Sequence, residues 1–127
     1  MSYPEDLLYT EDHEWIRVEG ENGYIGITGF ATRQLGDVVF VELPETGEEF
    51  EQGEAFGVVE SVKTVADLYM PVGGKVIGIN DRLLDEPEVV NESPHDEGWM
   101  ITIEISDPDE LDDLMDSDEY EEHTAEE

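Results

Sequence analysis

The chain has 127 residues, of which 5 are Lys or Arg and 36 are Asp or Glu, so its formal net charge is -31. This charge excludes nucleic acid and anionic membranes as direct partners, because both are bound through clusters of basic side chains. The sequence contains no cysteine, which excludes disulfides and thiolate metal sites, and its length suits one domain with a real core.

The first half of the chain is rich in short β-strand patterns. Residues 13–18 and 24–28 form two such runs, and Asn22-Gly23 before the second run predicts a tight hairpin turn. Residues 29–36 predict a short helix that Gly36 can cap at its C-terminal end. Strand patterns continue at residues 38–43 and 54–62. The spacing of these runs is typical of a small antiparallel β fold.

Three more strands are predicted in the second half, at residues 65–70, 75–79 and 99–105. The last strand alternates, which places Trp99, Ile101, Ile103 and Ile105 on one face and Met100, Thr102 and Glu104 on the other. Residues 80–98 are mostly polar, with a helical turn expected at residues 86–91. We expect a single domain over residues 1–127, with its core at about residues 10–105.

The last segment, residues 106–127, holds 12 acidic residues and no Lys or Arg. It begins with Ser106-Asp107-Pro108-Asp109, which is typical of a helix start because it supplies an N-cap, an early proline and early acids. Leu111, Leu114 and Met115 then form a narrow apolar stripe. We expect a short acidic C-terminal helix that docks on the core and frays into a solvated tail.

A weak internal repeat recurs at an offset of 27 residues. Each copy reads as a strand that ends in Pro-x-x-Gly, first at residues 38–47 and then at residues 65–74. Residues 60–64 lie between the copies, where a hairpin would join two half-domains. Together with the many short strands, this pattern favours a mainly β protein built as a small sandwich or flattened barrel.

The residues give little support to an enzyme. There is no cysteine nucleophile, no glycine-rich phosphate loop and no Asp-rich calcium loop. His13 and Glu14 could form an acid–base pair, but adjacent residues of a strand point to opposite faces. We therefore expect no catalytic residue and no metal site.

Lys63 is unusual because the composition has almost eliminated lysine, and only Lys63 and Lys75 remain. Lys63 could be an ordinary turn lysine that balances nearby acids such as Glu60. It could also be a covalent attachment point, since its flexible four-carbon stem carries an amine that attacks activated acyl groups. At a hairpin tip, it would project a prosthetic group away from the domain.

Many segments of the chain match those of a known family in both order and spacing. They run from His13-Glu14-Trp15 and Gly26-Ile27-Thr28 through Leu35-Gly36-Asp37 and Glu60-Ser61-Val62-Lys63 to Gly98-Trp99. The chain resembles the H proteins of the glycine cleavage system over nearly its whole length. The resemblance implies a barrel-sandwich hybrid of two small antiparallel sheets, with short peripheral helices and a C-terminal helix. It also implies lipoate in amide linkage to Lys63, within a recognition motif formed by Glu60, Ser61 and Val62.

The function implied by the resemblance is that of a non-catalytic carrier. A glycine decarboxylase (P protein) would load the lipoyl group with an aminomethyl group, an aminomethyltransferase (T protein) would receive it, and dihydrolipoyl dehydrogenase (L protein) would take the electrons. A lipoate ligase or lipoyltransferase would attach the lipoate. Glu14 and Asp67 match a cleft that shelters the methylamine, and Gln34 stands where some members have a cleft histidine.

Two alternatives stay open: a scaffold that relays lipoyl groups to other complexes, and an unmodified acidic interaction module. The acid-rich surface predicts a halophilic source, because high salt screens the self-repulsion of a chain with this charge. No apolar run approaches the ~18 residues of a membrane span, and the first residues lack the pattern of a signal peptide. We therefore expect a cytoplasmic protein.

Overall fold

A computed structural model describes residues 3–125. In chain order its nine strands are β1 (Leu8–Tyr9), β2 (Glu14–Glu19), β3 (Asn22–Ile27), β4 (Val38–Glu42), β5 (Glu49–Phe50), β6 (Ala55–Ser61), β7 (Val65–Tyr69), β8 (Gly74–Ile79) and β9 (Ile101–Ile105). The helices are α1 (Gly29–Leu35), α2 (Arg82–Asp85), α3 (Val89–Glu92), a 3-10 helix (Pro108–Asp113) and α4 (Ser117–Ala125).

The strands form two antiparallel sheets, which confirms the predicted fold class. The large sheet has the order β1-β2-β3-β9-β8-β5, and the small sheet has the order β4-β6-β7. The sheets keep separate edge strands and do not close into a continuous barrel. No helix within residues 3–125 is both long and apolar enough to cross a membrane.

The internal repeat has a structural counterpart in the small sheet. Its two copies contribute β4 and β7, which flank the central strand β6 on opposite sides. Val41 of the first copy pairs with Val59, and Leu68 of the second pairs with Gly57; both Val41 and Leu68 are buried. After its proline each copy enters the large sheet, where β5 pairs with β8.

Two groups of side chains hold the molecule together. The main core contains the inward residues of both sheets, such as Ile25, Val59 and Ile103. A second, aromatic cluster joins the two ends of the chain, where the stacked rings of Tyr9 and Tyr120 have centroids 4.6 Å apart. Burying such large rings contributes several kcal/mol in total (roughly 1.5–3 kcal/mol per side chain), so α4 is anchored through Tyr120.

Several local expectations are wrong in detail. The β2–β3 turn is formed by Gly20 and the residue after it, not by Asn22-Gly23, because Glu19 pairs with Asn22 and Gly20 takes the left-handed conformation (φ 66°). The last strand begins at Ile101 rather than at residue 99. Met100, expected opposite the isoleucines, is fully buried because it precedes the strand and enters the core.

The acidic C-terminal segment also differs from the single helix predicted at its start. Residues 108–113 form a 3-10 helix, and the chain then runs extended so that Met115 pairs with Tyr9 before α4 begins. Strands β1 and β5 were not predicted, since each has only two residues. Helix α3 at Val89–Glu92 overlaps the helical turn expected at residues 86–91.

Candidate functional site

Lys63 is exposed at the tip of the hairpin that joins β6 and β7. Ser61 closes this turn: its backbone N–H donates to the carbonyl of Thr64 at 2.8 Å. Its hydroxyl oxygen accepts the backbone N–H groups of Lys63 at 3.3 Å and Thr64 at 3.1 Å. Ser61 thus fixes the backbone on both sides of the lysine, and β6, as the central strand, holds the turn from below.

A second support reaches the hairpin from α3. The side-chain oxygen of Asn91 accepts the N–H of Val38 at 2.8 Å, and its amide nitrogen donates to the carbonyl of Gly36 at 2.9 Å. Between these two residues, the carbonyl of Asp37 accepts the N–H of Val62 at 3.1 Å. Asn91 therefore fixes the segment that holds the residue before the lysine.

Gly36 at the end of α1 lies directly beneath the lysine stem. Its backbone is left-handed (φ 79°), a conformation that favours glycine. A methyl group at this position would lie 3.0 Å from Cε of Lys63. The lysine stem therefore passes over bare backbone between the hairpin and α1.

A cavity of about 260 Å³ lies beside the hairpin. It is bounded by the segment before β2, by α1 and by strands β6 and β7, and its lining residues are Asp12, His13, Glu14, Ile27, Ala31, Gln34, Leu35, Val59, Thr64, Ala66, Asp67 and Leu68. The lining combines an apolar floor with a few carboxylates and one amide. Such a space suits an apolar ligand that carries a polar or cationic end.

Glu14 is the buried acid of this cavity, with 3 % of its surface exposed. Burial raises the pKa of its carboxyl to about 7. Hydrogen bonds oppose this rise, chiefly one from the hydroxyl of Thr10 at 2.7 Å and one from the N–H of Tyr69 at 3.3 Å. Because a nearby cation favours the charged form of an acid, Glu14 is poised to pair with an amine that enters the cavity.

The backbone just before Glu14 is strained. His13 has a left-handed conformation (φ 70°), which is uncommon for a residue other than glycine, and it precedes β2 rather than lying in a strand. Its ring nitrogen Nδ1 is 2.8 Å from the hydroxyl of Tyr120, which in turn is 2.7 Å from the hydroxyl of Thr28. The C-terminal helix thereby contacts the residue that places Glu14.

The structure brings the six residues singled out from the sequence into two adjacent groups. Glu60, Ser61, Val62 and Lys63 share the hairpin, whereas Glu14 and Asp67 line the adjacent cavity together with Gln34. None of the four hairpin residues lines the cavity itself.

Other contributors were missed by sequence reasoning. Asn91 supports the hairpin through hydrogen bonds to residues distant in sequence. Thr10 and Tyr120 contact Glu14 and His13, and the contact of Tyr120 exists only because the two ends of the chain meet in the fold. Gly36 was seen only as a helix cap, and its proximity to Lys63 depends on the pairing of β4 with β6.

Comparison with known proteins gives a consistent result. A family model described as "Glycine cleavage H-protein" matches residues 7–127. The glycine cleavage system H protein of Brevibacillus brevis is 60 % identical over 121 residues, which is 95 % of this chain and 96 % of that protein. A probable glycine cleavage system H protein of Haloarcula marismortui is 57 % identical over 117 residues, 92 % of each chain.

A solved structure also matches. The crystal structure of a glycine cleavage system H protein from Mycobacterium marinum superposes with a TM-score of 0.90 at 36 % identity, covering 97 % of this chain and 99 % of that one. The sequence motifs, the two-sheet fold and these similarities agree, and the chain belongs to the glycine cleavage H-protein family.

Proposed function

We propose that Lys63 is the residue on which this chain carries lipoate, and that Glu14 and Asp67 receive the amine end of the carried group. As a member of its family, the chain is a lipoyl-bearing carrier of the glycine cleavage system and has no catalytic activity of its own. Bound lipoate would supply a disulfide that accepts the aminomethyl group derived from glycine. The observation that carries the assignment to Lys63 is its exposed place at a hairpin tip beside a cavity.

The residues around Lys63 fit this role. An attaching enzyme needs an accessible amine, and Lys63 is exposed. Ser61 fixes the turn, and Gly36 leaves room for the stem of the lysine. Glu60, Ser61 and Val62 immediately precede the lysine and form the segment that we expect the attaching enzyme to read.

The cavity explains how the carried group would be protected. Its apolar floor, which includes Ile27 and Leu68, limits access of water to a hydrolysable group. Glu14 would form an ion pair with a methylammonium, and Asp67 adds a second, more exposed carboxylate on the same lining. Gln34 stands on α1 at this lining and can accept or donate a hydrogen bond.

The partners follow from the family. We propose that the chain exchanges its carried group and electrons with a glycine decarboxylase, an aminomethyltransferase and dihydrolipoyl dehydrogenase. A lipoate ligase or lipoyltransferase would supply the lipoate. We further infer a salt-rich cytoplasm as the working environment, because 36 acids face only 5 basic residues and a relative of 57 % identity comes from Haloarcula marismortui.

The two lysines provide a matched test of the attachment site. The protein is incubated with lipoate and a lipoate-attaching enzyme, and its intact mass is measured. We expect one lipoyl adduct on the wild type and on Lys75→Arg, and none on Lys63→Arg. An adduct that persists in Lys63→Arg would refute the assignment, and an unmodified wild type would favour an acidic interaction module.

Transfer is tested separately, with glycine–bicarbonate exchange catalysed by the decarboxylase. The lipoylated wild type should stimulate exchange, whereas Lys63→Arg should not, although both should unfold at the same temperature. A lipoylated protein that fails to stimulate exchange would favour the lipoyl-relay scaffold instead.

A further inference from the structure

One side chain of the C-terminal helix α4 reaches two of the elements that bound the cavity. Tyr120 is fully buried, and its hydroxyl oxygen lies 2.8 Å from Nδ1 of His13 and 2.7 Å from the hydroxyl of Thr28. His13 lines the cavity in the segment before β2, and Thr28 directly precedes α1. A single hydroxyl group therefore contacts both the segment before β2 and the start of α1.

The hydroxyl of Tyr120 is well suited to hold two partners at once. A phenolic O–H donates one hydrogen bond and can accept others, so it can serve His13 and Thr28 together. The ring itself has little freedom, because the rings of Tyr3 and Tyr9 pack against it with centroids 4.7 Å and 4.6 Å away. Tyr120 thus provides a fixed point for both neighbours.

The contact with Thr28 bears on helix α1. Thr28 is the N-cap of this helix, and its side-chain oxygen accepts the N–H of Ala31 at 3.2 Å. The helix supplies Gln34 and two apolar residues to the cavity lining. The N–H of Gly29 also donates to Nε2 of His95 at 3.1 Å. Because the helix start has this second support, loss of the tyrosine hydroxyl should loosen α1 rather than release it.

The contact with His13 bears on the segment that leads to Glu14. The left-handed backbone of His13 persists only where its surroundings hold it. Its carbonyl accepts the N–H of Thr28 at 3.0 Å, and its ring packs on Phe30 with centroids 4.6 Å apart. The hydroxyl of Tyr120 adds a contact that fixes the orientation of the ring. Since Glu14 is the next residue, this orientation also affects where its carboxyl lies.

We propose that Tyr120 is a positioning residue for the carried group, because its hydroxyl holds the ring of His13 and the start of α1 in the arrangement that closes the cavity around the amine end. This inference rests on the proposed function, in which the cavity shelters that group. Tyr120 does not line the cavity and acts only through its two neighbours. Without the hydroxyl, water should reach the hydrolysable group more often.

Tyr9 offers a matched control that separates positioning from simple anchoring of the helix. It is as buried as Tyr120 and stacks on it, but its hydroxyl donates to the carbonyl of Pro4 at 2.6 Å and it does not line the cavity. Tyr9→Phe and Tyr120→Phe each remove one buried hydroxyl from the same cluster and keep the ring. A tyrosine that only anchored α4 would give similar effects in both variants.

The first measurement uses the unmodified protein and needs no lipoate. Amide hydrogen exchange is followed by NMR at Thr28 and Ala31, whose N–H groups donate to the carbonyl of His13 and to the side chain of Thr28. Each rate is compared with the slowest core amides, which report global unfolding. We expect these two amides to exchange about tenfold faster in Tyr120→Phe and within about twofold of wild type in Tyr9→Phe. An equal rise in both variants would overturn the inference.

The second measurement follows retention of the carried group. Each variant is lipoylated to completion, loaded from glycine by the decarboxylase and freed of that enzyme. Hydrolysis takes one water and yields the thiol, formaldehyde and ammonium. We expect ammonium release about fivefold faster from Tyr120→Phe and within about twofold of wild type from Tyr9→Phe, a modest effect because His95 still holds α1. Release from Tyr120→Phe at the wild-type rate would overturn the inference, even with faster exchange.

Two further variants complete the test. Thr28→Val removes the same hydrogen bond from the other side and should also speed release, so the inference can still be refuted if Tyr120→Phe does not fold. Glu14→Gln separates this inference from the proposed function. Faster release from Glu14→Gln but not from Tyr120→Phe would sink the inference alone. A wild type that gains no adduct on Lys63, or a Glu14→Gln variant that releases ammonium at the wild-type rate, would refute the proposed function and this inference with it.

Discussion

Replacing Glu14 by glutamine should remove a measurable contribution to the pH dependence of stability. Burial raises the pKa of this carboxyl from its ordinary value of 4.5 to about 7. The folded protein thus holds the proton more tightly than the unfolded chain, so charging Glu14 destabilises the fold very little below pH 4.5 and progressively more as the pH rises to about 7. At about 1.36 kcal/mol for each pH unit, the full cost above pH 7 is about 3 kcal/mol.

Glutamine removes this cost. Thr10 and the backbone N–H of Tyr69 both donate to the carboxylate, but below pH 7 the folded wild type holds the neutral acid, which resembles the amide in having one good acceptor oxygen. The advantage of the carboxylate in these two hydrogen bonds is already contained in its pKa of about 7. The variant should therefore be about as stable as wild type at pH 4.5 and more stable by about 3 kcal/mol at pH 8.

The assay is urea unfolding followed by tryptophan fluorescence at pH values from 4.5 to 8, in a fixed high concentration of KCl. The decisive quantity is the difference in unfolding free energy between variant and wild type, since the titration of the other acids is common to both. Asp67→Asn is the control: it neutralises an exposed acid on the same cavity and should shift stability by less than about 0.5 kcal/mol. A difference for Glu14→Gln that stays flat across this pH range would refute the reasoning.

Three further predictions concern the supports of the hairpin and the acidic surface. Asn91→Ala removes both hydrogen bonds to the segment beneath the lysine and should lower the free energy of unfolding by about 2–3 kcal/mol; unchanged urea unfolding would show that water replaces the amide. Gly36→Ala and Gly47→Ala both force a left-handed backbone onto alanine (φ 79° and 97°) and should each cost about 1–3 kcal/mol. Only Gly36→Ala should also slow lipoylation of Lys63, since a methyl group at Gly47 meets no atom within 4 Å. The melting temperature should rise as KCl increases from about 0.1 M to about 1 M, because the screening length falls from ~10 Å to ~3 Å, and an unchanged value would remove the basis for a halophilic source.

The elements predicted best are those whose signal is local. The alternation of the core strands and the helix ended by Gly36 are visible within a few residues, and β4, β6, β7 and β8 lie where the sequence indicates them. Two-residue strands such as Leu8–Tyr9 and Glu49–Phe50 carry too little pattern to be predicted, and each is defined by its pairing with a longer strand. The hairpin turn at Gly20 shows the same limit, because the cross-strand register decided between two adjacent glycine-containing turns.

The candidate site divides in a similar way. The scarcity of lysine and the surrounding motif are visible along the chain and single out Lys63 before any fold is known. Asn91 and Tyr120 act across separations of 55 and 107 residues, as in the contacts Asn91–Gly36 and Tyr120–His13, so no local pattern reveals them. Glu14 stands out only once its burial is known, because the sequence offers 36 acids with nothing to rank them.

Because the cavity lies next to Lys63, its affinity for the carried group has an upper limit. An arm attached to Lys63, as proposed, would visit the cavity at an effective concentration on the order of millimolar, whereas partner enzymes in solution are far more dilute. A cavity with high intrinsic affinity would therefore trap the arm. The half-neutral Glu14 and the exposed Asp67 are suited to weak, reversible capture, so in the proposed function the carrier would shelter its cargo between encounters and still release it to an enzyme.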